Sequence, residues 1–334
     1  MNDEIIIRIA DKTIGLETTA WELDIEHFDW VPAVGLYGIL CAYKKTGLLR
    51  YWTFLDNWFA RHIQLAYSQK TVNSVAPMLT AVCMCEIRPN DTYLRVIKDM
   101  TQYLIKEAPL TIDGGWEHTV TEPVKGFSDQ IWADTLFMAG VFLAKAGWLM
   151  GDGKCIDFAI DQFVIHHRLL SDGDGLYFHG YNGYKKNHMS AVRWGRANAW
   201  IVYATAELLK SLDEFKQRRF LEDMVKKHIR ALINVQDAQG AFRTILDDRE
   251  SYIEMSATAG IAAGIKTALE LGLVGSECES ALKKALNAIE NSISEDGLVE
   301  NVSTGTPVMC DAEGYKNIKL TSTLYGQGLA LVAL

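Results

Sequence analysis

The stretch IWADTLFMAGVFLAKAG, residues 131–147, reads as a helix that is apolar nearly all round. That is the character of a helix buried inside a larger assembly. Five more stretches share it: WVPAVGLYGILCAY (30–43), TVNSVAPMLTAVCMC (71–85), RWGRANAWIVYATAELL (193–209), MSATAGIAAGIKTALEL (255–271) and LTSTLYGQGLALVAL (320–334). Between them lie amphipathic segments with one charged face, such as LDEFKQRRFLEDMVKKHIRALI (212–233) and SECESALKKALNAIENSI (276–293). Helical periodicity predicts twelve helices near 3–12, 31–46, 49–67, 72–87, 91–108, 128–147, 153–170, 193–211, 214–234, 253–271, 276–294 and 320–334. Six buried helices alternating with six amphipathic ones imply an all-α closed double ring, an (α/α)6 barrel. The ring closes if the N-terminal helix is the outer partner of the C-terminal one. An open solenoid is the rival, but its end repeats need polar faces and the last segment here is apolar throughout. No linker or break in composition divides the chain, so residues 1–334 are expected to form one domain.

The bulk properties narrow the function. The 334 residues are 49% hydrophobic and 22% charged, with a formal net charge of −9. No Lys/Arg run is dense enough for a nucleic-acid footprint. No apolar run reaches the roughly 18 residues that a membrane span needs. The opening MNDEIIIRIADKTIG lacks the basic and long apolar regions of a secretory signal. The six cysteines, Cys41, Cys83, Cys85, Cys155, Cys278 and Cys310, are scattered. They read as reduced thiols rather than disulfides or metal ligands, which points to the cytoplasm. Oligomeric state is not legible.

In an (α/α)6 barrel the turns leading into the inner helices converge at one mouth. Long Gly-rich loops precede several of them, including IDGGWEHTVTEPVKG, SDGDGLYFHGYNGYKKNH and SEDGLVENVSTGTPVMCDAEGYKN. Long structured loops often carry function. Asp134 falls on the same stripe as Ile131, Met138, Val141 and Phe142, where a carboxylate is costly unless compensated. By itself such an acid is most often a cap or a satisfied acceptor. The loops add Trp116, His118 and Lys125, then Asp172, Asp174, Tyr177, His179, Tyr181, Tyr184, Lys185 and His188. Trp194, Arg196 and Trp200 follow on the next inner helix. Aromatic faces suit sugar rings and the Arg fork suits a carboxylate, so an acidic carbohydrate is the indicated ligand. Each residue also has a plain reading: core packing for the tryptophans, an ion pair for Arg196, a turn for DGDG at 172–175, and the surface for His166 and His167. No phosphate loop, HExxH or nucleophile elbow is present, and neither a metal nor a cofactor is indicated.

Taken jointly, WVPAVGLYG (30–38), TVNSVAPM (71–78), GGWEHT (114–119), QIWADTLFMA (130–139), FHGY (178–181) and WGRANAW (194–200) resemble glycoside hydrolase family 105. These are the unsaturated rhamnogalacturonyl hydrolases, and the motifs run in the family's order over nearly the whole chain. The resemblance implies an (α/α)6 barrel, as the helix count does independently. It implies a 4,5-unsaturated uronic acid at the non-reducing end of a lyase-generated oligosaccharide as substrate. It also implies that Asp134 is the general acid/base that hydrates the vinyl ether. Trp132 and Met138 would flank the acid. His118, Lys125 and His179 would line the substrate, and Trp194, Arg196 and Trp200 would bind the unsaturated sugar, with Lys125 and Arg196 as candidates for its carboxylate. Family members often carry an Asp where Asn73 stands here, and Asn cannot ionise. Two alternatives remain open. One is another (α/α)6 carbohydrate enzyme: an inverting glycosidase with Glu117, Asp174 or Glu254 as second carboxylate, or an epimerase using His118 and His179. The other is a non-catalytic helical binding module with a blind core.

Overall fold

The structure is a computed structural model that describes residues 3–121 and 127–334. Its helices are α1 (Asp3–Ile14), α2 (Trp30–Thr46), α3 (Leu49–His62), α4 (Pro77–Ile87), α5 (Asp91–Lys106), α6 (Val141–Met150) and α7 (Gly153–Leu170). They continue with α8 (Gly195–Ser211), α9 (Arg218–Val235), α10 (Met255–Glu270), α11 (Glu279–Glu290), α12 (Ala312–Lys316) and α13 (Leu324–Ala333). Two short antiparallel pairs accompany them: β1 (Gln130–Trp132) with β2 (Gly180–Asn182), and β3 (Val302–Ser303) with β4 (Leu320–Thr321).

The apolar helices form the inner ring. Each of α2, α4, α6, α8, α10 and α13 packs on the next, and α13 packs back on α2, so the ring is closed. In α8 every residue from Gly195 to Leu209 is buried, as all-round apolarity demands. The amphipathic helices form the outer layer. On α5, Tyr93, Val96, Ile97, Met100, Tyr103 and Leu104 face inward at helical spacing. As expected from the count, α1 packs against α13 as well as α2. Closure needs the first and last inner backbones to touch. A Cβ on Gly38 would stand 2.5 Å from Gly328 Cα, and one on Gly328 would stand 2.0 Å from the Val34 carbonyl oxygen. Only glycine permits that approach.

Because outer helices return the chain each time, the inner helices run parallel. Their N-terminal ends meet at the mouth, and their C-terminal ends meet at the opposite end. Lys45 Nζ there donates to the carbonyls of Leu331 and Val332, and Lys266 Nζ to Ala333 and Leu334. Lysines beside helix C-termini satisfy exposed carbonyls and offset the negative ends of the dipoles. With Lys44, Lys145 and Lys210 they ring a cavity of about 410 Å³ that also holds Glu207 and Glu270.

Several sequence expectations need correction. The helix expected over 128–147 starts late: β1 comes first, then a turn at residues 133–134, a π-helical turn over Leu136–Gly140, and only then α6. Strand pairing with 180–182 overrides the helical periodicity. Residues 72–76 are turns, and α4 begins with Pro77, whose missing N–H is harmless in a first helical turn. The short α12 was not anticipated. His166 and His167, expected at the surface, are buried. They lie on the inward side of α7, where His167 bridges the Tyr177 hydroxyl and Thr205 Oγ1. All six cysteines are free, four of them buried. Among the described residues no helix is long and apolar enough to cross a membrane.

Candidate active site

A cavity of about 360 Å³ opens at the N-terminal ends of the inner helices. Asn73, His118, Trp132, Asp134 and Met138 line it on the α4–α6 side, and Trp194 and Arg196 come from the start of α8. Trp21, Glu22, Trp30 and the segment Thr304–Pro307 complete the wall beside α2 and α13. An open aromatic cavity in this position is incompatible with the blind core of a purely structural helical module.

Asp134 is not within a helix but at its entry. Its backbone carbonyl accepts from the N–H groups of Phe137 and Met138 at 3.1 and 3.0 Å, so it stands where an N-cap stands. The β1–β2 pairing brings its partner: Ala133 N–H donates to the His179 carbonyl at 3.0 Å, and Trp132 pairs with Gly180. His179 Nε2 consequently lies 3.4 Å from Asp134 Oδ2. The other ring nitrogen, Nδ1, is 2.8 Å from the Tyr315 hydroxyl, and that hydroxyl oxygen accepts from Met309 N–H. An ionised carboxylate can only accept, so the His179 proton belongs on Nε2, facing Asp134, and Nδ1 accepts from the Tyr315 hydroxyl.

Electrostatics hold the acid ionised in the free protein. Burial pushes the Asp134 pKa up, but the contact with His179 and the charge of Arg196 bring it below the ordinary carboxylate range. The positive ends of the converging helices act in the same direction. Burial lowers both imidazoles, His118 to about 3, so His118 is neutral at physiological pH.

The aromatic residues divide. His118 stacks flat on Trp132, with centroids 3.8 Å apart and planes 9° from parallel. Trp194 packs between the His179 ring at 4.1 Å and the Arg196 guanidinium at 4.4 Å. Met138 lies one turn below Asp134 in the cavity wall. Trp200 is not in the wall: it is fully buried and stacks on Phe137. His179 is also behind the wall rather than in it, 1% exposed.

Arg196 departs most from expectation. Its Nη1 donates to Ser256 Oγ, Ser303 O and Ser303 Oγ, and its Nη2 to Thr304 O and Thr306 Oγ1. Glu254 faces it at 3.5 Å, fully buried, while also capping α10 through Ala257 N–H. The fork expected to grip a substrate carboxylate therefore already holds the Ser303–Thr306 segment against α8 and α10. Its Nε and Trp194 Nε1 are buried without a hydrogen-bond partner, as are Asn73 Oδ1, His118 Nδ1 and Asp134 Oδ2. Buried polar atoms are normally paired, so this convergence marks where a polar ligand belongs.

The remaining candidates fall elsewhere. Lys125 lies outside the described residues. Glu117 accepts from Asp129 N–H, Asp174 joins Asp172 and Asp247 around Arg193, and Glu254 serves Arg196. None lines the cavity, so the DGDG segment is a turn held by Arg193. Among the described residues no group of three metal-ligating side chains could hold an ion. The sequence reading missed Glu22, Trp30, Thr304–Pro307 and Tyr315. The TGTP segment closes the mouth, and Tyr325 of the last inner helix packs beneath Trp30 and Arg196. The length of the Gly-rich loop that contains TGTP was the available signal.

Comparison with known proteins agrees with this architecture. Residues 5–334 match the model of Glycosyl Hydrolase Family 88. The unsaturated rhamnogalacturonyl hydrolase YesR of Bacillus subtilis is 33% identical over 99% of this chain and 93% of its own length. A possible member of the GH105 family from Klebsiella pneumoniae superposes with a TM-score of 0.93 at 31% identity, covering 99% of this chain and 91% of that one. Another, from Salmonella enterica serovar Paratyphi A, gives 0.94 at 30% identity, covering 100% and 93%. The chain is a glycoside hydrolase of the family that this model describes, Family 88, on the GH105 side that its motifs resemble.

Proposed function

We propose that residues 1–334 form one catalytic domain that removes a 4,5-unsaturated uronic acid from the non-reducing end of lyase-generated oligosaccharides of the pectin or rhamnogalacturonan type. The observation that carries this reading is Asp134. It is a carboxylate in the wall of an aromatic cavity, with one oxygen unpaired and a neutral imidazole held beside it. Free cysteines, one of them exposed, favour a reducing, cytoplasmic setting.

The chemistry requires one acid rather than a pair. The substrate double bond is a vinyl ether conjugated to its carboxylate. Asp134 gives its proton to C4, and positive charge develops at C5 and the ring oxygen. Water adds at C5 and returns a proton to Asp134, so the carboxylate acts first as acid and then as base. The product is a hemiketal. It opens to a ketone at C5 and a hemiacetal at C1, and the hemiacetal expels the next sugar. No direct displacement at C1 occurs, so the paired carboxylates of ordinary glycosidases are not required.

The low pKa of free Asp134 fits this scheme if substrate supplies the correction. A uronate carboxylate bound at the helix N-termini offsets Arg196 and the dipoles, and raises the acid's pKa as the complex forms. Trp194 Nε1 and Arg196 Nε are the buried donors with capacity left for that carboxylate. The Trp132–His118 stack offers a flat face to the sugar ring. Asn73 offers its amide without a second ionisable group beside the acid.

Loss of the conjugated-alkene absorbance on incubation with unsaturated disaccharides from rhamnogalacturonan and pectin lyases tests the proposal. Retained absorbance across pectin- and glycosaminoglycan-derived substrates would refute it.

A further inference from the structure

The cavity wall opposite Asp134 carries a second carboxylate. Glu22 lies between α1 and α2, and its backbone carbonyl accepts from Leu324 N–H at 2.7 Å, which fastens it to the start of α13. In the six-membered inner ring, α13 is three places from α6 in either direction, so Glu22 and Asp134 enter the cavity from opposite sides. The other lining residues from the chain up to the start of α2 and from the Thr304–Pro307 segment are aromatic or neutral: Trp21, Trp30, Thr304, Gly305, Thr306 and Pro307.

Among the described residues the one cation in the cavity wall is Arg196. Its Nη groups are committed to Ser256, Ser303, Thr304 and Thr306, and its charge is already faced by Glu254. No described group in the wall neutralises Glu22. A substrate whose uronate reaches Asp134 presents its next sugar to this far wall.

We propose that Glu22 is a specificity-determining residue that selects an uncharged second sugar. This rests on the unsaturated-uronyl reading of the same cavity. A neutral sugar gives hydroxyl protons to the Glu22 carboxylate and lays an apolar face on Trp21 or Trp30. A sulfated or carboxylated second sugar meets a like charge that no described wall residue compensates, which disfavours binding and reaction together. Selection here is made by repulsion on one wall.

The test compares two unsaturated disaccharides with the same uronate, one with a neutral second sugar and one with a sulfated one. Alkene loss is followed for the wild type, Glu22→Gln and Glu22→Lys. The wild type favours the neutral substrate in kcat/KM by roughly tenfold or more. Glu22→Gln narrows that ratio by roughly tenfold, and Glu22→Lys narrows it further, through faster turnover of the sulfated substrate. An equal wild-type rate on both substrates, or a ratio unchanged in both variants, overturns the proposal. So does loss of turnover on both substrates in a folded Glu22→Gln protein, which would make Glu22 a second catalytic carboxylate. No alkene loss from either substrate with the wild type would instead overturn the unsaturated-uronyl reading itself.

Discussion

His179 Nε2 stands 3.4 Å from Asp134 Oδ2, and the backbone fixes that separation, because Ala133 N–H is bonded to the His179 carbonyl. The pair comes from two loops joined by three residues of strand on each side. Neither side chain has another hydrogen-bond partner at these atoms. A contact this long in the free protein has room to tighten when substrate arrives.

Asp134→Asn keeps the shape of the acid and removes its proton chemistry. Turnover should fall by about a thousandfold or more. Binding of an unsaturated disaccharide, measured by calorimetry, should change little, and the melting temperature should not drop. Substantial residual activity would remove Asp134 from the role proposed for it.

His179 is a positioning residue, and its removal has a signed consequence. The imidazole lowers the Asp134 pKa, so His179→Gln raises it. The protonated acid then persists to higher pH, and the descending limb of kcat/KM moves in the alkaline direction while kcat falls. Tyr315→Phe, which removes the proton given to Nδ1, should reproduce part of the loss in kcat. A purely structural role for His179 would lower activity without moving the limb.

The buried histidines make the fold sensitive to acid. His166 is lowered to about 4, His118 and His167 to about 3, and His228 is also lowered, each chiefly by burial. Their folded-state pKa values lie below the unfolded value near 6.5, so the unfolded chain takes up protons first. Stability is full above about pH 6.5 and is lost as pH falls toward the folded values, by up to about 1.4 kcal/mol per histidine per pH unit. Melting temperatures should be level from pH 7 to 8 and decline steeply below about 6.

Ring closure depends on Gly328. Alanine there sets a Cβ against the Val34 carbonyl, and α2 and α13 must separate. The expected cost is about 1–3 kcal/mol, read as a lowered denaturation midpoint with an unchanged urea slope.

Trp132 and Trp200 should separate cleanly. Trp132→Ala removes the stacked wall of the cavity and should raise KM by up to about tenfold. Trp200→Phe, deep against Phe137, should lower the melting temperature and leave KM within about twofold.

Much of this was legible in the residues. All-round apolarity identified the six inner helices because a helix enclosed by neighbours has no polar face to show, as α8 illustrates. The order of the motifs pointed to Asp134, Trp132, Trp194 and Met138 at one mouth. What could not be read were consequences of pairing between distant segments. Strand β1 exists only because residues 180–182 lie beside it, so Asp134 looked like a mid-helix residue instead of a helix entry. Arg196 carries the right chemistry for a carboxylate, but its engagement with Ser303 and Glu254 depends on loops more than 50 residues away. Glu22 has no local signal, since its backbone is tied to Leu324 at the other end of the chain.

The most direct test of the central claim follows two signals from one unsaturated disaccharide in one reaction: alkene absorbance and release of the second sugar. Hydration by Asp134 predicts that absorbance is lost with or before sugar release, and that Asp134→Asn abolishes both. Release of the second sugar while the alkene absorbance persists would mean displacement at C1 and would contradict the account.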